Sequence, residues 1–219
     1  MNQATAVLFD LDGTLADTAP DLINALNKVL VAHNKPRLAL QQARPYVSRG
    51  ARGLLLRGFG LEETAPEYDA YVEELLFHYR QDLCVKTRVF KGMDAVLDWM
   101  DQRAMPWGVV TNKATEFAEP LLKKMQLYDR THTLVCGDTT AHRKPYPEPL
   151  LFACQQAKMN PATTLYVGDD PRDVEAAIAA KMPSVAVRYG YYDKSENIDE
   201  WGADLVIDHP FELIQYLQQ

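Results

Sequence analysis

Short apolar segments alternate with amphipathic helical patterns through the second half of the chain. Apolar segments of this length, bounded by turn residues, are typical of strands that are buried on both faces. With the first apolar segment of the chain, the predicted strands cover 6–9, 107–111, 133–136, 164–168, 184–187 and 205–207. Helical patterns lie at about 92–103, 114–126, 147–158 and 171–181, and a short helix ends the chain. This alternation predicts an α/β fold, a doubly wound parallel sheet of the Rossmann-like type.

The stretch that follows the first strand has a different pattern. Apolar residues recur at helical spacing after Pro20, and further helical patterns cover about 38–58 and 65–82, separated by a break at Gly58–Gly60. No alternation of period two, which would indicate a strand, stands out in this stretch. The predicted domains are a Rossmann-like core of residues 1–15 and 88–219, and an inserted helical cap of residues 16–87.

Composition narrows the class of protein. The 219 residues carry a net charge of −7 and are 47% hydrophobic, which permits a large buried core. An acidic chain is a poor partner for nucleic acid, although local cations can still bind a small anionic substrate. No apolar stretch is long enough to span a bilayer and no signal-peptide pattern is evident, so we expect a cytoplasmic protein with no membrane partner.

Cysteine and histidine residues give no sign of a zinc site. The three cysteines, Cys84, Cys136 and Cys154, are far apart in sequence and fit no metal-binding spacing. We expect them to be reduced thiols. The five histidines are also scattered, so no histidine-based metal site is predicted.

Two aspartates, Asp10 and Asp12, follow the first strand directly and precede Gly13 and Thr14. Two carboxylates at the end of a buried strand repel each other and lose hydration. Such a pair persists most readily with a divalent cation or with different protonation states. Ligands of open α/β sheets bind at this edge. A simple Asp-Gly turn is the alternative explanation for the same residues.

Polar residues also follow the second core strand and the next long loop. Thr111, Asn112 and Lys113 come directly after the strand at 107–110. A hydroxyl group and main-chain N–H groups at the start of a helix suit a phosphate, although Thr and Asn are also ordinary capping residues. Lys144 precedes Pro145 in a rigid loop, where it could balance an anionic intermediate.

A second acidic group follows the strand at 164–168. Asp169, Asp170 and Asp173 surround the start of a helix at Pro171. Helix capping and the helix dipole account for Asp170 or Asp173 alone. They do not account for the whole acidic cluster.

In their order and spacing these four motifs resemble the haloacid dehalogenase superfamily over essentially the whole chain. The matching residues are Asp10–Thr14, Thr111, Lys144 and Gly168–Asp173. The resemblance implies a phosphomonoester hydrolase in which Asp10 is the nucleophile and forms an aspartyl-phosphate. Asp12 would be the general acid and then the general base. Members that cleave carbon–halogen bonds lack this second aspartate.

The resemblance also implies Mg²⁺ as the cofactor. Its protein ligands would be Asp10, Asp169 and the main-chain carbonyl of Asp12. Thr111, Asn112 and Lys144 would hold the substrate phosphate. Asp173 and Asp170 would be supporting residues.

The predicted cap contains one turn suited to a substrate. Ser48, Arg49 and Gly50 lead into a helix and offer a hydroxyl group, main-chain N–H groups and a cation. These groups suit the oxygens or the carboxylate of a substrate. A solvated helix face is the alternative explanation for the arginine.

Within the superfamily the cap and the segment 109–113 resemble the phosphoglycolate phosphatase branch. Residues 187–191, 201–204 and 208–210 resemble N-acetylmuramic acid 6-phosphate phosphatases of bacterial cell-wall recycling. Arg49 departs from this resemblance, because a glycine is expected there.

We therefore expect a small phosphorylated metabolite as the only partner of a monomer or homodimer. N-acetylmuramic acid 6-phosphate is the preferred substrate and 2-phosphoglycolate is the alternative. A sugar phosphomutase, which returns the phosphoryl group to a bound sugar, is a further alternative. A non-catalytic protein on the same scaffold would lack catalytic residues, and all of them are present.

Overall fold

Residues 4–192 and 195–218 are described by this computed structural model. The strands are β1 (Ala6–Phe9), β2 (Ala16–Asp17), β3 (Arg88–Val89), β4 (Trp107–Val110), β5 (Leu134–Val135), β6 (Thr164–Gly168), β7 (Ser184–Val187) and β8 (Leu205–Ile207). The α-helices are α1 (Ala19–Ala32), α2 (Leu40–Ala43), α3 (Gly50–Phe59), α4 (Tyr68–Gln81), α5 (Met93–Gln102), α6 (Thr115–Lys124), α7 (Glu148–Ala157), α8 (Pro171–Ala180) and α9 (Phe211–Leu217). Among the described residues, no helix combines the length and apolar character that a membrane-spanning segment needs.

Six strands form one sheet in the order β5-β4-β1-β6-β7-β8, and every neighbouring pair is parallel. The six predicted strands and the α/β fold class are therefore confirmed. The chain leaves the central strand β1 toward β4 and later returns to its other side as β6. This reversal is the switch point at which open α/β sheets bind ligands. It brings together the carboxyl ends of β1, β4 and β6.

Successive side chains of β1 point to opposite faces of the sheet, as in any strand. Val7 and Phe9 belong to one apolar cluster, which also contains residues of α1, α5 and α6. Ala6 and Leu8 belong to a second cluster with residues of α7 and α8. The strand that carries the two aspartates is thus buried on both faces, which fixes its position.

The helices between β2 and β3 pack mainly on one another, with α1 against α4 and α3 against both. The predicted helix over 38–58 is wrong in part, because the segment is divided into α2, a 3₁₀ turn over Arg44–Arg49, and α3. Pro45 lacks the N–H group that a continuous α-helix needs there, and Gly50 has a φ of 62°. The predicted break after this segment is confirmed, since α3 ends at Phe59 before the left-handed Gly60.

The strands β2 and β3 pair antiparallel. The expectation of no strand between residues 16 and 86 is therefore wrong at the start of this stretch, where β2 lies. A pair of residues is too short for a visible alternation. Asp21, in the first turn of α1, accepts hydrogen bonds from the main-chain N–H groups of Lys86 and Thr87 and from the Thr87 hydroxyl. The two segments that connect the predicted cap to the core are therefore bound to each other. The division into cap and core stays a prediction.

Candidate active site

Three of the predicted site residues lie side by side at the carboxyl ends of neighbouring strands. Asp10 follows β1, Thr111 follows β4 and Asp169 follows β6. Asp10 and Thr111 line a cavity of about 490 Å³ between the sheet edge and the helices of the predicted cap. Apolar side chains form much of its wall, among them Leu22, Val47, Leu76, Tyr79 and Phe117.

Lys144 carries a buried ammonium group beside Asp10. Its Nζ atom lies 2.9 Å from Oδ1 of Asp10, an ion-pair contact without hydrogen-bond geometry. Nζ also donates to Oδ1 of Asp173 at 2.7 Å, to the Tyr166 hydroxyl at 2.8 Å and to the Val110 carbonyl at 3.1 Å. Burial alone would lower the pKa of Lys144, but the two carboxylates raise it above its ordinary value. The lysine is therefore a fixed positive charge at the cavity.

Asp169 is fully buried behind Asp10. Its carboxylate accepts hydrogen bonds from the Thr14 hydroxyl at 2.9 Å and from the main-chain N–H of Tyr191 at 2.8 Å. Burial and the neighbouring charges of Asp10 and Asp173 raise the pKa of Asp169 well above its usual range. Burial also raises the pKa of Asp173, although Lys144 acts in the opposite direction. Burial therefore disfavours the charged forms of these carboxyl groups, and a cation beside them would restore those forms.

A divalent cation fits this cluster. Asp10, Asp169 and Asp173 can each offer an oxygen atom, and these atoms all lie within 4.8 Å of one another. Oxygen ligands of this kind suit Mg²⁺, which needs few protein groups and completes its shell with water and phosphate. Oδ1 of Asp10 has no hydrogen bond among the described residues but lies 2.9 Å from Nζ of Lys144, so a cation would share this carboxylate with the lysine.

The side chain of Asp12 lies outside that cluster. Its Oδ1 accepts a hydrogen bond from the Thr18 hydroxyl, and Nζ of Lys113 donates to its two oxygens at 3.1 and 3.2 Å. Only the main-chain carbonyl of Asp12 is then left for the predicted role as a metal ligand. Lys113 is adjacent to predicted site residues, but the sequence assigned it no role. Thr18 lies at the N-cap position of α1, but its hydroxyl donates to Asp12 and makes no capping hydrogen bond.

Two predicted residues hold other parts of the site in place. The side-chain amide of Asn112 exchanges two hydrogen bonds of 3.0 Å with the main chain of Lys144. Asp170 caps α8 and binds the guanidinium group of Arg172. Arg172 in turn donates to the main-chain carbonyl of Ser48 at 2.6 Å. Asn112 therefore fixes the lysine loop, and Asp170 connects the acidic motif with the turn at 48–50.

The turn predicted to contact the substrate faces the same cavity. Ser48, Arg49 and Gly50 all line it, and the Ser48 hydroxyl lies 3.5 Å from Oδ2 of Asp169. The Arg49 side chain is 53% exposed, and among the described residues its nearest acidic contact is Glu196 at 3.9 Å. An arginine held this loosely is free to meet a charged group of a substrate.

Tyr166 and Lys113 both contact predicted site residues, although neither was predicted from the sequence to have a role. Tyr166 lies inside an apolar strand, where an aromatic residue is typical of the core. Its polar hydroxyl group is the one feature of the sequence that could have indicated a further role. Its pKa is raised well above the usual value by burial and by Asp173. The group therefore stays a neutral hydrogen-bonding partner of Lys144.

Comparison with known proteins agrees with this geometry. A family model described as haloacid dehalogenase-like hydrolase matches residues 7–187. The N-acetylmuramic acid 6-phosphate phosphatase of Pseudomonas aeruginosa is 42% identical over 98% of this chain and 95% of that protein. A phosphoglycolate phosphatase of Xanthomonas campestris is 40% identical over 95% of this chain and 94% of that protein.

Solved structures show the same architecture. The crystal structure described as a predicted phosphoglycolate phosphatase from Haemophilus somnus superposes with a TM-score of 0.87 at 26% identity, over the full length of both chains. The fold, the family match and the two relatives agree with the four sequence motifs. The chain therefore belongs to the haloacid dehalogenase-like hydrolase family and is a phosphoric monoester hydrolase.

Proposed function

We propose that this enzyme hydrolyses N-acetylmuramic acid 6-phosphate to the free sugar and inorganic phosphate. The main support for this substrate is the cavity, because its volume of about 490 Å³ and its apolar wall suit a substituted sugar. The relatives named as phosphatases of this sugar phosphate, at 42% and 41% identity, support the same substrate. The proposal places the reaction in the cytoplasm, where the three free cysteines stay reduced.

The second candidate substrate is 2-phosphoglycolate. Relatives from Xanthomonas campestris and Xylella fastidiosa that are 40% and 37% identical are named phosphoglycolate phosphatases. This substrate is less than half the size of the sugar phosphate. It would leave most of the apolar wall uncovered, whereas binding sites usually bury most of their ligand and exclude water.

In the first half of the proposed reaction, a carboxylate oxygen of Asp10 attacks phosphorus and the bond to the sugar oxygen breaks. Asp12 donates a proton to that oxygen, so the sugar leaves as a neutral alcohol. Lys144 and the Thr111 hydroxyl hold the phosphoryl oxygens in position. Positioning and electrostatic stabilisation account for most of the catalysis in phosphoryl transfer.

In the second half, a water molecule attacks phosphorus of the aspartyl-phosphate and Asp12 takes up a proton from that water. Phosphate leaves, and the Asp10 carboxylate is restored. We propose that Asp10, Asp169 and the main-chain carbonyl of Asp12 hold Mg²⁺, which neutralises phosphate charge when bound. The clustering of the three buried carboxyl groups of Asp10, Asp169 and Asp173 supports the presence of a cation here.

Phosphate release with Mg²⁺ from the two metabolites, compared as kcat/KM, tests the proposed substrate. We expect a preference of about tenfold or more for the sugar phosphate. A preference for 2-phosphoglycolate would contradict the proposal and would assign the enzyme to the removal of that metabolite. Phosphate released in amounts equal to the substrate consumed separates a hydrolase from a phosphomutase.

Asp10→Asn is the matched test of the nucleophile, because it removes the charge without changing the shape. We expect a loss of turnover on the order of 10³-fold or more, with the circular dichroism spectrum unchanged. Substantial activity in a pure sample of this variant would exclude the aspartyl-phosphate mechanism.

A further inference from the structure

Lys113 is a buried lysine that the reaction described above does not use. Its side chain is 8% exposed, and its ammonium group contacts both carboxylate oxygens of Asp12. The main chain is fixed independently, since Lys113 N–H donates to the Thr111 hydroxyl and Lys113 carbonyl accepts from Gly137 N–H. The backbone of this segment therefore does not depend on the lysine side chain.

Tyr79 holds the ammonium group of Lys113 from the other side. It belongs to α4, within the predicted cap, and is 1% exposed. Nζ of Lys113 lies 4.7 Å from the centroid of its ring, within the range of a cation–π contact. The Tyr79 hydroxyl meets no described residue with hydrogen-bond geometry, although the charge of Lys113 acts on it. The contact that the structure shows between the two side chains is therefore the one through the ring.

The charges around Asp12 show what the lysine does. Asp10, Asp169 and Asp173 lie close together on one side of the site, whereas the carboxylate of Asp12 is bound on the other side by Thr18 and Lys113. Without the lysine, only the Thr18 hydroxyl among these two partners would hold the Asp12 carboxylate, and its second oxygen would lose its partner. A general acid must lie within hydrogen-bonding reach of the oxygen that it protonates.

We infer that Lys113 is a positioning residue that, together with the ring of Tyr79, holds the carboxyl group of Asp12 beside the leaving-group oxygen. The inference rests on the proposed function only in the role given to Asp12 as acid and base. Because Tyr79 lies on α4 and Asp12 follows β1, the position of the acid depends on how the predicted cap sits on the core. A cap placed wrongly would leave the acid without its support.

Two leaving groups separate positioning of the acid from a general structural role. The p-nitrophenolate of an aryl phosphate leaves with little help from an acid, whereas the alkoxide of an alkyl phosphate needs a proton. The alkyl substrate is whichever of the two metabolites the wild type hydrolyses faster. The measurement is the ratio of kcat/KM for the alkyl substrate to kcat/KM for p-nitrophenyl phosphate.

For Lys113→Met we expect this ratio to fall by about tenfold or more, since general acids contribute about 10²–10⁴-fold. Lys113→Arg should recover part of the ratio because it restores the charge. Lys123→Met is the matched control, since Lys123 is an exposed lysine of α6 paired with Glu119, and it should leave the ratio unchanged. Equal losses on both substrates, or no loss, in Lys113→Met would overturn the inference.

Substitutions at Tyr79 test the second half of the inference. Tyr79→Leu should lower the same ratio several-fold, and Tyr79→Phe, which keeps the ring, should lower it less. Equal effects of the two would show that the ring does not support Lys113. If Lys113→Met fails to fold, Lys113→Arg and the Tyr79 pair decide the question. A wild type that prefers 2-phosphoglycolate would overturn the proposed substrate and leave this test intact.

Discussion

Tyr166 is the neutral partner of the buried lysine at the active site. Its hydroxyl accepts from Nζ of Lys144 and donates to the Val110 carbonyl at 2.9 Å. Removing one partner of a buried hydrogen bond leaves the other partner unsatisfied. The free-energy cost of that unsatisfied group is larger than the mean net contribution of a hydrogen bond to stability. The hydroxyl therefore affects both the stability of the protein and the position of Lys144.

We expect Tyr166→Phe to lower the free energy of unfolding by about 1–3 kcal/mol. It should also lower kcat several-fold, because Lys144 gains freedom to move within the carboxylate cluster. Urea unfolding and steady-state kinetics measure the two effects. Tyr146→Phe is the control at an exposed tyrosine, with an expected change within about 0.5 kcal/mol. Similar effects of both substitutions would contradict this role.

At the scale of single residues, the sequence shows the groups that follow strand ends and misses those inside the strands. Asp10, Thr111 and Asp169 can be recognised because polar residues at the end of an apolar strand are conspicuous. Tyr166 cannot, because an aromatic residue in a buried strand is typical of the core. The contact of Lys113 with Asp12 depends on the turn after β1, which local patterns do not specify.

At the scale of elements, Asp21 ties the start of α1 to the segment before β3. Its buried carboxylate accepts two main-chain N–H groups and the Thr87 hydroxyl, with no lysine or arginine side chain among these partners. Hydrogen bonds to a charged group are stronger than those between neutral groups. One side chain thus keeps both connections of the predicted cap together.

Asp21→Asn replaces one acceptor oxygen by an N–H donor that faces other donors. We expect a loss of about 2–4 kcal/mol in the free energy of unfolding, measured by urea denaturation. Asp69→Asn, at an exposed aspartate in the first turn of α4, is the matched control. It should change stability by less than about 1 kcal/mol. Equal losses in the two variants would show that the tie through Asp21 is unimportant.

The elements themselves were predictable to different degrees. The six strands of the large sheet follow from short apolar segments bounded by turn residues, and the helices between them follow from hydrophobic periodicity. The pairing of β2 with β3 was not predictable from the sequence. Each of these strands has two residues, 70 residues of other structure separate them, and they pair only through the tertiary fold. The 3₁₀ turn before α3 was also missed, although Pro45 marks its start.

At the scale of the whole molecule, the proposed catalytic residues and the turn proposed to select the substrate line one cavity. The catalytic candidates follow the strands of the sheet, and Arg49 reaches the cavity from the turn before α3. An arginine whose one acidic contact within 4–192 and 195–218 is as distant as 3.9 Å has charge to offer to a substrate carboxylate. The net charge of −7 thus coexists with a local cation at the cavity.

We expect Arg49→Ala to lower kcat/KM for the preferred metabolite by about tenfold, the value of one charged hydrogen bond. The loss on p-nitrophenyl phosphate, which has no carboxylate, should be much smaller. Arg52→Ala is the control, because Arg52 is an exposed neighbour already paired with Glu63. Equal losses of Arg49→Ala on both substrates would remove its role in substrate choice.

The bond from Arg172 to the main-chain carbonyl of Ser48 has a consequence for how such enzymes diverge. A main-chain carbonyl is present whatever side chain the position carries, so the link between core and turn survives substitution at 48 or 49. New side chains can therefore be tried in the turn while the phosphate-handling groups stay in place. The preferred substrate can then change in evolution more readily than the reaction that is catalysed. This agrees with the relatives of 42% and 40% identity, which are named after different substrates.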